Sequence, residues 1–295
     1  LKTPGKTYTI DGQTVTIQNQ ATANLYNYTP HILGNFNFWK IWNNWFSQFY
    51  PDGTLLQAEG EKTYWLLQNG MRREFASKTI LVSRYDVNKV ITISKNELQK
   101  YPVGTPIKFT NYSLLQTPDK NVYLLVDDQL RQFESNEVVR KIGYNPEEFE
   151  QITLEELNFF QLGEKITLET IYPSGKLLQD NKTGGVFFVQ DGKKHPLITK
   201  DILKINFPNE KLKKVTTKDL DKYETFDSVK LPDGEIVKTA KESTVYIISN
   251  GTKRPVSSGS VFERLGYKWK NVKTVQEKTL SNLPLGAVIN LDFKK

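Results

Sequence analysis

The chain contains no cysteine, one methionine and two histidines. Without cysteine there is no disulfide framework, no thiolate nucleophile and no Cys-based zinc or iron–sulfur site. His31 and His195 stand far apart in sequence and do not read as a multi-histidine metal centre. No run of about 18 apolar residues occurs, so no membrane span is expected. Catalytic templates are missing too: there is no G-x-S-x-G, no G-x-x-x-x-G-K-[ST], no H-E-x-x-H and no EF-hand loop. Neither a metal nor a cofactor is expected. The chain begins at Leu1 with no basic n-region and apolar h-region behind it, which is the expectation for a mature, trimmed or partial product.

What is present is enough for a packed core. The 295 residues are 38% hydrophobic and 12% aromatic, which excludes wholesale disorder. Seven surplus positive charges favour acidic partners in general but select none of them.

A unit of about 60 residues recurs four times. Each copy opens on a turn and an apolar pair: Asp52-Gly53-Thr54-Leu55-Leu56, Asn111-Tyr112-Ser113-Leu114-Leu115, Ser174-Gly175-Lys176-Leu177-Leu178 and Asp233-Gly234-Glu235-Ile236-Val237. An aromatic then precedes a basic residue by eight positions: Trp65 and Arg73, Tyr123 and Arg131, Phe187 and His195, Tyr246 and Arg254. Between them lie Asn69-Gly70, Asp127-Asp128, Asp191-Gly192 and Asn250-Gly251. Such pairs mark β-hairpins, because both turn residues need positive φ.

A hydroxyl follows four residues after the basic position, at Ser77, Ser135, Thr199 and Ser258, where it predicts the N-cap of a short helix. Ser94-x-x-Glu97 and Thr153-x-x-Glu156 are capping boxes; Thr216-x-x-Asp219 is a weaker version, and Gln276 breaks the pattern. Six residues after the next leucine come Gly104, Gly163 and Gly286, but Phe226 in copy three. That copy must therefore build its last turn differently. One unit reads strand, strand, turn, strand, short helix, strand, short helix, strand.

Residues 1–50 do not fit the repeat. Alternation around Asp11-Gly12 predicts a small hairpin. An aromatic tract follows, with Phe38, Trp42, Trp45 and Phe49 on one helical face and Trp39 and Phe46 widening it. The stripe either packs against the rest of the protein, stacks on sugar rings through Trp39 and Trp42, or meets an upstream domain.

The stretch Leu25-Tyr26-Asn27-Tyr28-Thr29-Pro30-His31, with Asn35-Phe36-Asn37-Phe38-Trp39, resembles the segment that closes lysozyme-like or lytic-transglycosylase-like domains of exported bacterial proteins. The four copies resemble tandem surface repeats of bacterial cell-envelope proteins. Val245-Tyr246-Ile247-Ile248-Ser249-Asn250-Gly251-Thr252-Lys253-Arg254-Pro255-Val256 is the clearest copy. The resemblance implies an extracellular or cell-surface location and an upstream peptidoglycan-hydrolase-like domain in the same polypeptide. Residues 1–50 contain no glutamate, so a two-carboxylate glycosidase site of the usual Glu-bearing kind is not expected within them.

The expected fold class is mainly β with short helices. Residues 1–50 form the aromatic N-terminal segment, and residues 51–291 form four repeats, at about 52–110, 111–170, 174–230 and 233–291. Four strand-rich units either close into a four-bladed β-propeller-like ring or stack as a linear array. Copies one and four are both apolar, which favours the ring.

The candidate ligand positions are Arg73, Arg131, His195, Arg254, Trp39, Trp42, Tyr267 and Trp269. In a ring the four basic heads would surround an axis and suit an anion or anionic glycan. Otherwise each caps carbonyls or pairs with a carboxylate, a structural device copied four times. Tyr267-Lys268-Trp269-Lys270 mixes rings and cations in a way that suits sugar, or else forms a turn with one buried ring. The expected function is a non-catalytic secreted or surface module that binds cell-wall or other anionic glycan. Self-association or adhesion is the alternative, and a glycan-active enzyme the second alternative. Nucleic acid is not an expected partner.

Overall fold

The computed structural model describes residues 7–10, 13–16, 50–145 and 148–291. The chain divides into two compact units, one of residues 1–49 and 291–295, the other Tyr50–Asn290. In the first, β1 (Thr7–Ile10) and β2 (Gln13–Thr16) form an antiparallel hairpin, with Tyr8 opposite Val15. The aromatic tract, including Trp39 and Trp42, lies outside the described residues.

The second unit is mainly β with short helices, arranged as four open sheets of four or five strands. The first repeat contains β3 (Leu55–Ala58), β4 (Tyr64–Gln68), β5 (Met71–Glu74) and β6 (Ile91–Ile93). Its order in the sheet is β5-β4-β3-β6, with β6 parallel to β3. The second contains β7 (Leu114–Gln116), β8 (Val122–Val126), β9 (Gln129–Gln132), β10 (Glu150–Gln151) and β11 (Gln161–Leu162), ordered β10-β7-β8-β9-β11. The third contains β12 (Lys176–Asp180), β13 (Val186–Gln190), β14 (Lys193–Pro196), β15 (Lys213–Val215) and β16 (Glu224–Thr225), in the same arrangement. The fourth contains β17 (Ile236–Thr239), β18 (Tyr246–Ser249), β19 (Thr252–Pro255) and β20 (Lys273–Val275). Repeats one and four replace the fifth strand by single parallel bridges, Arg72 with Val103 and Lys253 with Leu285.

The turn chemistry explains each hairpin. Asn69, Asp127, Asp191 and Asn250 have φ of 53°, 48°, 51° and 50°, and each is followed by a second positive-φ residue. Two left-handed residues in succession twist the turn to match the strands, and Asn, Asp and Gly tolerate them best. The opening turn then ties itself to this one. Asp52 accepts from the Asn69 and Gly70 N–H groups at 2.8 and 3.0 Å, and Asn111 accepts from the Asp127 N–H at 2.9 Å.

All four hydroxyls cap helices: α1 (Lys78–Arg84), α3 (Asn136–Ile142), α5 (Lys200–Asn206) and α7 (Gly259–Arg264) accept N-terminal protection from Ser77, Ser135, Thr199 and Ser258. The second helix of each repeat is α2 (Lys95–Gln99), α4 (Leu154–Leu157), α6 (Thr217–Leu220) or α8 (Glu277–Ser281). Thr216 and Asp219 form a full capping box, because aspartate still reaches the cap N–H. Gln276 makes no side-chain cap bond. Its N–H donates instead to Asp201 of repeat three, at 2.8 Å.

The apolar pair of each first strand is buried on both faces. Leu55 and Leu56, Leu114 and Leu115, Leu177 and Leu178, and Ile236 and Val237 all belong to the core. A strand covered by helices on one side and other core residues on the other reads as a continuous apolar run rather than an alternation. Neighbouring repeats share cores and polar contacts. Ile202 of repeat three packs in one cluster with Leu231 of the link and with Val237 and Leu280 of repeat four. Repeat four also meets repeat one: Asn250 Nδ2 donates to Asp52 at 3.1 Å, Asn271 Nδ2 donates to the Asn88 carbonyl at 3.1 Å, and Lys89 pairs with Glu235 at 2.5 Å.

Candidate functional site

The four basic positions occupy one register. Arg73, Arg131, His195 and Arg254 stand opposite Leu66, Leu124, Phe188 and Ile247 on the middle strands. Each donates to a carbonyl of its own repeat, 32 or 33 residues on. Arg73 Nε reaches Thr105 O at 2.8 Å, Arg131 Nε reaches Glu164 O at 3.0 Å and Arg254 Nε reaches Ala287 O at 3.0 Å. His195 meets Asp227 O through Nδ1 at 2.8 Å, so the ring carries its proton there.

Two of the guanidinium groups reach further. Arg73 Nη1 lies 2.5 Å from Asp128 of the next repeat, and Arg131 Nη1 lies 2.8 Å from both carboxylate oxygens of Asp191. The hairpin-turn acid of one repeat thus neutralises the basic residue of the repeat before it. Repeat four has Asn250 at that turn, and among the described residues His195 forms no ion pair. Burial lowers the Arg254 pKa, opposed by the Tyr267 and Asp52 charges.

The glycine anomaly of repeat three now has a cause. A Cβ on Gly104, Gly163 or Gly286 would lie 3.3, 3.0 or 2.7 Å from Cγ of Arg73, Arg131 or Arg254. The arginine stem lies against those glycines. His195 is shorter, and Phe226 fills the space with its ring 5.9 Å from the imidazole. Arg with Gly and His with Phe are two solutions to one packing problem. Gly286→Ala is expected to cost about 1–3 kcal/mol through overpacking, and Gly104→Ala less. Melting temperatures of the two variants check this; equal shifts would contradict it.

Tyr267 and Trp269 separate. Tyr267 is buried, stacked on Phe262 at 5.3 Å with its hydroxyl 3.4 Å from Thr54 Oγ1 of repeat one. Burial pushes its phenol pKa up. Trp269 stays 49% exposed between the exposed Lys268 and Lys270, and its Nε1 donates to Glu263 at 2.7 Å.

Sequence reasoning missed two features. The first is a recurrent exposed apolar side chain: Val103, Leu162 and Leu285 are 62%, 66% and 68% exposed beside the basic strands. Phe226 stands near the equivalent place, with Lys193 Nζ 4.7 Å above its ring. Their position just before the conserved-spacing glycine was visible, but exposure was not. The second is a cavity of about 430 Å³ lined from repeats one, three and four by residues including Arg84, Lys89, Asn209, Asp233, Glu235 and Lys273.

Among the described residues no group of three metal-ligating side chains occurs, and no helix is long and apolar enough to cross a membrane. No protein-family model matches this chain, and no curated protein matches it. Two solved structures are similar at low scores. The periplasmic assembly from the ESX-5 inner membrane complex gives a TM-score of 0.20 at 9% identity, covering 82% of this chain and 92% of that one. The intact ESX-5 inner membrane complex gives 0.20 at 10% identity, covering 92% of this chain and 87% of that one. A TM-score of 0.20 is too low for either to bear on fold or function.

Proposed function

We propose that the repeats close into a four-bladed, propeller-like ring acting as a non-catalytic surface module for anionic cell-envelope glycan, outside the cell and beside an upstream domain of the same polypeptide. The observation that carries the binding reading is Trp269, half exposed, fixed by Glu263 and flanked by Lys268 and Lys270. An indole face suits the C–H face of a sugar ring, and adjacent ammonium groups suit its carboxylates or phosphates. Phe226 beneath Lys193 repeats the combination. Arg73 and Arg131 have their charge taken up by Asp128 and Asp191, so they serve the glycan reading less well than the lysines do. What supports closure is the set of contacts from repeat four back to repeat one.

Sedimentation with purified peptidoglycan, across a salt titration, tests the reading. Retention is expected at low salt, with loss as salt screens the lysines. Trp269→Ala is expected to weaken retention about tenfold or more, the value of one stacking contact. No retention of the native chain at low salt would overturn the proposal. Self-association is the second reading, favoured by Val103, Leu162 and Leu285. Light scattering that finds a monomer at all concentrations would exclude it.

A further inference from the structure

The second helices of the four repeats are copies of one device, so each copy is a control for the others. The first residue after the cap is Lys95 in α2, Thr217 in α6 and Glu277 in α8, but Leu154 in α4. Six residues after the cap stand Lys100, Lys222 and Asn282, but Phe159 in repeat two. All eight positions are exposed, and Leu154 and Phe159 are 54% and 53% exposed. Three repeats build this helix with polar residues there, so the fold itself does not call for apolar ones. Leu162 adds to the patch. It stands opposite Leu130 in parallel register, and both side chains therefore leave the sheet on one face. Leu130 lies in the buried cluster against which Leu157 and Phe160 pack, so Leu154, Phe159 and Leu162 rim that core on its open side. Single exposed apolar residues are ordinary, but a group of them on one face marks an interaction surface.

The same face is acidic in repeat two and basic in repeat three. Between 111 and 170 there are twelve acids against five lysines and arginines; between 174 and 230 there are twelve lysines against eight acids. Glu155 follows Leu154 where repeat three has Lys218. Lys213 stands opposite Leu178 and leaves its sheet on the face of the Leu178, Val189 and Leu220 cluster, which α6 covers. Among the described residues Glu155, Glu164, Lys213 and Lys218 are exposed and form no ion pair. Both faces stay open in the one chain, so they do not cover each other.

We propose that the Leu154, Phe159 and Leu162 face of repeat two docks on the Lys213 and Lys218 face of repeat three in a second copy of this chain. The apolar side chains anchor the contact, while Glu155 and Glu164 select the partner face. Two acidic faces repel each other, as do two basic ones, so unlike faces meet. Such a heterologous contact repeats from copy to copy until a ring closes or a filament grows. The proposal rests on the self-association reading and is independent of Trp269 and of wall polymer.

Sedimentation velocity of the full chain, from about 1 μM to about 1 mM, tests it. Association beyond the dimer is expected, weakening as salt screens the charges. Leu154→Lys with Phe159→Lys installs the residues that repeat one carries at Lys95 and Lys100, so circular dichroism is expected to stay native. This variant is expected to weaken association about tenfold or more, the effect of losing an interface anchor. Lys213→Glu with Lys218→Glu, on the other face, is expected to weaken it as well. Mixed in equal amounts, the two variants bring one intact face each and are expected to associate again, stopping at the dimer. A monomer throughout would overturn the proposal together with the self-association reading. Association unchanged by Leu154→Lys with Phe159→Lys, or no recovery in the mixture, would overturn the proposal and leave that reading standing. A monomer that binds polylysine through Leu154 and Phe159 would also overturn it, by putting a foreign basic partner in place of the second copy.

Discussion

Gly53→Ala is expected to destabilise the repeat domain by about 2–5 kcal/mol, from left-handed strain plus overpacking. Gly53 has φ of +90°, and a Cβ there would lie 2.2 Å from the Gly234 nitrogen and 2.4 Å from the Asp233 carbonyl carbon. Both are backbone atoms of repeat four and cannot turn aside as a side chain can. Gly60 supplies the control. Its φ is +75°, yet a Cβ there meets nothing within 4 Å. Gly60→Ala is therefore expected to carry the conformational term alone, about 1 kcal/mol. Urea denaturation of the two variants measures the difference. If Gly53→Ala loses no more than Gly60→Ala, the contact between the opening turns of repeats one and four is not an energetic element of the fold.

Arg131→Met is expected to cost about 2–3 kcal/mol. Arg131 is 6% exposed, bonded to the Glu164 carbonyl and to both oxygens of Asp191. Removing one partner of a buried pair leaves the other charge uncompensated, at about 3–5 kcal/mol when both are fully buried. The Asp191 side chain keeps 31% of its exposure, so water recovers part of that. Arg254→Met is expected to cost nearer about 1 kcal/mol, the value of its one carbonyl bond. Among the described residues it has no ion pair. A double-mutant cycle with Asp191→Asn reads the coupling directly. Equal losses for Arg131→Met and Arg254→Met would show that the interrepeat ion pair adds nothing.

Much of the local structure was legible because each signal is short in sequence. A hairpin needs two positive-φ residues, and Asn69-Gly70, Asp127-Asp128, Asp191-Gly192 and Asn250-Gly251 supply them. A helix start needs an acceptor for an orphan N–H, and four hydroxyls provide one. The candidate site was legible only in part. The basic positions stood out by recurrence, but recurrence does not say what they touch. Arg73 finds its carboxylate 55 residues on in the next repeat, and nothing in the spacing names Asp128 rather than a neighbour. Tyr267 and Trp269 are two residues apart and have opposite fates, because one ring sits under repeat one and the other does not.

The sequence by itself determined the repeat, its hairpins, its caps and the apolar pair at the start of each sheet. These depend on backbone preferences and on hydrophobic period, which act over a few residues. Only the tertiary structure decided that Gly104, Gly163 and Gly286 make room for an arginine stem, that Phe226 answers to His195, and that Arg84 and Glu235 line one cavity. Those are matters of which side chains meet across repeats, and volume and charge are balanced there between residues that no local pattern connects. The missing cysteines are consistent with this construction: the repeats are held by shared cores and by ion pairs from one unit to the next, rather than by covalent links.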